Sequence, residues 1–176
     1  DTLEYQLTVI NTPPGITSSP VLTAWEELSY SYDVNCSDDG QGDIRYRILE
    51  PAWLTIDSLS GLITGVPRNS DVGIDTVRIE VSDGNGGVGL QVYTINVRNV
   101  NDPPVLAQIP ELVIQEDQDT VIVFKNWQSY VTDIDNDFTE LNWLIEGRNN
   151  ITAVSGIDSA TISPEENWYG IDSVMV

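Results

Sequence analysis

Apolar and polar residues alternate along this chain in short runs, and no stretch sustains the 3.6-residue period of an amphipathic helix. Clusters of Gly, Pro, Asn and Asp separate the runs, which is the pattern of an all-β chain. The strands expected from it in the first half are 21–25, 29–36, 43–49, 62–64, 75–82 and 89–98. Within them Tyr30, Tyr32, Val34 and Cys36 share one face, Tyr46 and Ile48 the next, and Val77, Ile79 and Val81 a later one. Those faces are the candidate core. The stretch Asp83-Gly84-Asn85-Gly86-Gly87 supplies residues that tolerate positive φ, as a hairpin loop between the last two strands requires.

The same patterning recurs along the chain. Leu3, Tyr5, Leu7 and Val9 alternate strictly and run into Thr12-Pro13-Pro14-Gly15. Tyr5, Leu7, Val9 and Asn11 fall on Tyr93, Ile95, Val97 and Asn99 at one constant offset, and each segment then meets a double proline. Further on, Gly170-Ile171-Asp172-Ser173-Val174 aligns with Gly73-Ile74-Asp75-Thr76-Val77, and Asp133 falls near Asp38. Residues 1–11 are therefore expected to be the last strand of a preceding module, 12–102 a β-sandwich, and 103–176 a second sandwich lacking its last strand. Asp1, with no initiator methionine, reads as an excised or processed start. Between the two sandwiches lies Asn99-Val100-Asn101-Asp102-Pro103-Pro104-Val105-Leu106. Its prolines fix φ, remove two backbone donors and hold Asp102 extended, so this joint should be a short stiff strut.

Pro51-Ala52-Trp53-Leu54-Thr55-Ile56-Asp57, followed by Ser60-Gly61-Leu62-Ile63-Thr64-Gly65-Val66-Pro67, Asp71-Val72-Gly73 and Val81-Ser82-Asp83-Gly84, resembles the signature of dystroglycan-type cadherin-like domains and the related putative-Ig repeats of bacterial surface proteins. In the second half, Glu116-Asp117-Gln118-Asp119-Thr120, Asp133-Ile134-Asp135-Asn136-Asp137 and Asn167-Trp168-Tyr169-Gly170-Ile171-Asp172-Ser173 resemble the tandem cadherin-like repeats of large bacterial adhesins. The resemblance implies two tandem Ig-like or cadherin-like Greek-key β-sandwiches, the second truncated, from an extracellular, secreted or cell-surface protein. Trp53 would plug the first core, with Gly61, Gly65 and Pro67 setting the turns around it.

Composition narrows the chemistry. The 28 acidic residues against 7 basic ones give a formal charge of −21, which disfavours nucleic acid and anionic membrane and favours cations. The absence of histidine removes the commonest general base, the Ser-His-Asp arrangement and most zinc sites, and no enzyme activity is expected. The lone Cys36 has no internal disulfide partner and reads as a buried, inert thiol. No apolar run approaches the ~18 residues of a membrane span, so membrane insertion is not expected.

The acidic clusters are the candidate site. Calcium takes six to eight oxygen ligands, and an Asp-x-Asp spacing lets two carboxylates reach one ion. Asp133, Asp135 and Asp137 on a loop, Glu116 and Asp117 near the first strand of the second module, and Asn101 and Asp102 in the joint form the expected Ca2+ set. Asp38, Asp39 and Asp43 repeat the loop in the first module. The expected function is a calcium-binding structural or adhesion module. One alternative is a carbohydrate-binding module stacking sugars on Trp25, Trp127, Trp143 and Trp168, and another is a metal-free Ig-like module that binds protein. The expected partners are other protein modules or a cell-surface glycan. The complementary ends further suggest head-to-tail self-association by strand exchange.

Overall fold

The computed structural model describes residues 3–40 and 42–176, so Asp1 and Thr2 of the expected N-terminal strand lie outside the described residues. The chain divides into two compact units, Asp1–Val100 and Asn101–Val176, and the division falls inside the expected joint. Among the described residues no helix is long and apolar enough to cross a membrane.

The first unit contains β1 (Gly15–Ile16), β2 (Thr23–Trp25), β3 (Tyr30–Asp33), β4 (Cys36–Ser37), β5 (Arg45–Glu50), β6 (Leu54–Ile56), β7 (Leu62–Gly65), β8 (Gly73–Ser82) and β9 (Val88–Arg98). One sheet has the order β2-β9-β8-β5, with β2 parallel to β9, and a second has the order β3-β7-β6. Residues of both sheets fill one core: Ala24, Tyr30, Tyr32, Val34, Leu54, Ile63, Val77, Ile79, Ile95 and Val97. That is a sandwich built by period-two alternation, since each strand sends every second side chain inward.

Four local readings change. The expected strand 29–36 breaks after Asp33, because Asn35 turns its carbonyl to the Thr17 N–H (2.8 Å) and its own N–H to Ser18 Oγ (2.9 Å). The chain beyond it pairs instead with β1. Strand β6, too short to show in the alternation, pairs with β7. Trp53 packs from the edge of the core, partly exposed, with its ring edge-on to Tyr30 at 5.9 Å and its indole N–H donating to Asp75 at 3.2 Å. Cys36 is likewise half-buried, its sulfur 3.2 Å from the Tyr46 hydroxyl.

Residues 3–10 join no ladder, and Leu3, Tyr5, Leu7 and Val9 are 94%, 87%, 77% and 85% exposed. Their alternation is strand-like, but a strand forms where an edge accepts it, and no described edge does so within this chain.

The second unit contains β10 (Val105–Leu106), β11 (Thr120–Val123), β12 (Val131–Thr132), β13 (Glu146–Gly147), β14 (Ile151–Ser155), β15 (Ser159–Pro164) and β16 (Val174–Met175). Its three-stranded sheet, β11-β15-β14, is the counterpart of β3-β7-β6, while the opposite face consists of the β13–β16 pair. Phe124, Ile145, Ala160 and Ile162 are its buried core. Trp143 stacks on Phe124 (5.6 Å, 18°) and meets Trp127 and Phe138, so its faces are taken up by neighbouring rings.

Candidate metal centre

The loop after β12 folds around Asp133. Its Oδ1 accepts the N–H groups of Asp135 and Asn136, both at 2.8 Å, the local side-chain-to-backbone turn that Asp favours. Its Oδ2 is buried and has no hydrogen-bond partner. Asp135 Oδ2 accepts the N–H of Asp102 at 2.5 Å, so the start of the second unit is tied to this loop. Asn101 donates from its side chain to the Asp102 carbonyl at 2.9 Å. The structure therefore joins Asn101, Asp102, Asp133 and Asp135 in one hydrogen-bonded cluster.

Three expected ligands are bonded elsewhere or stand apart. The Asp137 N–H donates to Glu140 at 2.9 Å, opening the 3-10 turn Phe138–Glu140. Asp117 accepts the Asn167 N–H at 2.7 Å, and Glu116 beside it is exposed. Among the described residues no group of three or more His, Cys, Asp or Glu is arranged to hold a metal. Backbone N–H groups occupy Asp133 Oδ1 and Asp135 Oδ2. The orphaned oxygen of Asp133 is the feature that fits an ion, because a buried carboxylate oxygen without a partner is costly and a hard cation would satisfy it.

The first unit repeats the motif. Asp38 also carries a buried oxygen, Oδ1, without a hydrogen-bond partner. Asp43 forms an exposed ion pair with Arg45 at 3.4 Å. Nearby in sequence to β8, the fully buried Asp83 accepts the Asn11 side chain at 2.6 Å and the N–H groups of Asn85 and Gly87 at 2.7 and 2.9 Å. The Asn11 amide foremost, with those two N–H groups, holds the Asp83 carboxyl below its ordinary value. Asn11 and Asp83 were not among the expected ligands.

Glu26 is a second carboxylate that the composition conceals. It is buried, and its Oε2 accepts the N–H of Val100, the last residue of the first unit, at 3.3 Å. The internal repeat explains it and also explains Asp117. β3 and β11 are equivalent strands, and each is preceded by a residue of positive φ, Glu27 at 58° and Asp117 at 57°. Glu26 thus corresponds to Glu116. Glu26 bonds the last residue of its own unit, whereas Glu116 is exposed and Asp117 accepts the Asn167 N–H.

Residues 5–98, just over half of the chain, match the model of the family described as Putative Ig domain. The chain belongs to that family. The matched segment of this Ig-type chain includes Asn11 and Asp83 as well as Glu26. Among solved structures it is similar to PcdhgB3 EC1-4, at 17% identity and a TM-score of 0.52, over 87% of this chain and 41% of that one. It is also similar to the protocadherin GammaB4 extracellular domain, at 14% identity and a TM-score of 0.50, over 91% and 28%. The SrpA adhesin of Streptococcus sanguinis matches at 17% identity and a TM-score of 0.41, over 58% and 69%. At these identities the likeness is one of fold. The chain spans less than half the length of the first structures it matches. No curated protein matches it.

Proposed function

We propose that this Ig-type chain is a calcium-stiffened structural or adhesion segment of a tandem-repeat protein, working at the cell surface or outside the cell and joined to other protein modules rather than catalysing a reaction. The observation that carries the reading is the buried, unpartnered Oδ2 of Asp133 in a loop bonded through Asp135 to Asp102. The recurrence of an orphaned oxygen at Asp38, in the corresponding loop of the first unit, supports it. Asp102, Asp133 and Asp135 would hold the ion, with Asn101 bonded to the Asp102 carbonyl beside them. When bound, the ion would replace carboxylate repulsion with attraction. The loop would then clamp the residues that follow Val100, the end of the first unit.

Calorimetric titration tests the proposal. The expected dissociation constant lies near the ~10⁻⁴ to 10⁻³ M of extracellular calcium modules. Binding to the folded form alone stabilises it by about 2.7 kcal/mol at a hundredfold excess over Kd. Asp133→Asn should weaken binding at least ~tenfold, which is about 1.4 kcal/mol. An unchanged melting temperature between chelator and ~10 mM calcium would overturn the reading.

A further inference from the structure

Acidic residues outnumber basic ones 28 to 7 in this chain, yet four of the seven, Arg45, Arg47, Arg78 and Arg98, lie on the outward face of one sheet, β2-β9-β8-β5. Alternation fixes that face: Val77, Ile79 and Val81 are buried inward, so Arg78 and Glu80 between them point out. The ladders set the neighbours. Arg47 lies opposite Glu80 and Glu80 opposite Leu90 in one row, while Glu50 lies opposite Arg78 and Arg78 opposite Val92 in the next. Arg47 bonds Glu80 at 3.1 Å and Arg78 bonds Glu50 at 3.0 Å, so the two rows form a square whose signs alternate along every edge. Beside the square runs an aliphatic stripe on β9, Val88, Leu90 and Val92, which are 47%, 60% and 55% exposed. Ion pairs as exposed as these contribute little to the fold, so their charges remain available to a partner.

We infer that this face pairs with the same face of a second copy of the chain, about a two-fold axis that crosses the strands between the two rows. A two-fold contact that brings one residue onto another also brings the second onto the first. This axis exchanges the rows, so Arg47 meets Glu50 of the second copy, Glu80 meets its Arg78 and Leu90 meets its Val92. Every charge of the square then faces an opposite charge, and the aliphatic stripes cover each other in place of water. Other axes fit less well. A diagonal axis would lay Arg47 on Arg47 and Glu80 on Glu50, and an axis along the strands between β5 and β8 would match the charges but leave Leu90 and Val92 outside the contact. Charge also explains why the contact belongs on this face. Copies carrying −21 each repel, whereas here Arg45, Arg47, Arg78 and Arg98 stand against Glu50 and Glu80 alone. Strands ~4.8 Å apart that rise ~3.4 Å per residue give β5, β8 and β9 roughly 500 Å² per copy over the ten residues of β8. That is below the ~800 Å² per partner of a standard complex, so the dimer forms in the ~10 µM to ~1 mM range.

Sedimentation velocity on the full chain in chelator and ~0.15 M salt, from ~1 µM to ~1 mM, should show a mass that rises with concentration and stops at two chains. The chelator separates this contact from the calcium site. Two charge-swapped variants then test the geometry: Arg47→Glu with Glu80→Arg, and Glu50→Arg with Arg78→Glu. Each keeps its exposed cross-strand ion pair with the ends exchanged, so the fold is retained, which circular dichroism checks. Each alone should weaken self-association at least ~tenfold, because the swapped pair meets like charges across the axis. Mixed in equal amounts, the two variants should associate again, since each swapped pair then faces the other with opposite sign. A strictly monomeric wild-type chain overturns the proposal, as do growth beyond two chains, association that ignores either swap and a mixture of the two variants that stays monomeric.

Discussion

Three carboxylates are held below their ordinary values by local hydrogen bonds. Asp83 is held low by the Asn11 amide and then by backbone N–H groups, Asp57 by the N–H groups of Ser60 and Leu59, and Asp172 by those of Asn150 and Ser173. A carboxyl whose value is depressed in the folded state binds protons more weakly there than when unfolded. It therefore contributes stability above its ordinary value of 3.8 and loses that contribution as pH falls through the folded value. In ~1 M salt, where the repulsion of the −21 charge is screened, the urea midpoint should hold between about pH 7 and pH 5 and fall below about pH 4. Asn11→Ala should reduce the part of that fall due to Asp83, because it removes the foremost cause of the depression. A midpoint that rises steadily through pH 3 would contradict this assignment. At the same scale, Gly65 admits Trp53: a Cβ there would lie 2.5 Å from the Trp53 carbonyl oxygen and 2.9 Å from its ring. Gly65→Ala should cost about 1–3 kcal/mol in urea unfolding.

At the scale of elements, alternation carried most of the fold. β3, β8 and β9 each show buried residues at alternate positions and β5 half-buried ones, and the core residues Tyr30, Tyr32, Val77 and Ile79 were visible in this alternation. β6 was not visible, since Leu54–Ile56 is three residues long and offers one alternation. The Asp133 loop was legible because Asp-x-Asp is a local pattern and its bonds are local. Spacing along the chain did not show that Asp117 accepts the N–H of Asn167, which is remote in sequence. Glu26 and Asp83 escaped notice because burial of a carboxylate depends on Val100 and Asn11, which are remote in sequence. Trp53 joins both kinds of information, being marked by its motif yet held by β8 through Asp75. Trp53→Ala removes that bond and the edge contact with Tyr30, and should cost about 3 kcal/mol, the low end for a buried aromatic because the ring is partly exposed. Chemical unfolding followed by Tyr fluorescence measures it, and a loss below about 1 kcal/mol would show the ring to be dispensable.

Over the whole molecule, a charge of −21 opposes compactness while the two units differ in what resists it. The first unit has ten buried residues in its main core cluster and a ten-residue β8 laddered on both sides. The second has four, and its second face is one ladder of two residue pairs. Apolar burial is the main favourable term in folding, so the second unit should unfold first, and scanning calorimetry in chelator should resolve two transitions. Screening and site binding then separate cleanly. Sodium chloride at ~1 M shortens the Debye length to about 3 Å and relieves repulsion everywhere, so both transitions should rise. Calcium at ~10 mM adds far less screening, and through Asp102, Asp133 and Asp135 it should raise the lower transition by several degrees. With ~1 M salt already present, the calcium increment should shrink but persist in the wild type and vanish in Asp133→Asn. A calcium increment that disappears in salt for the wild type as well would mean that the acidic surface as a whole, and not the loop of Asp133, is what the cation neutralises.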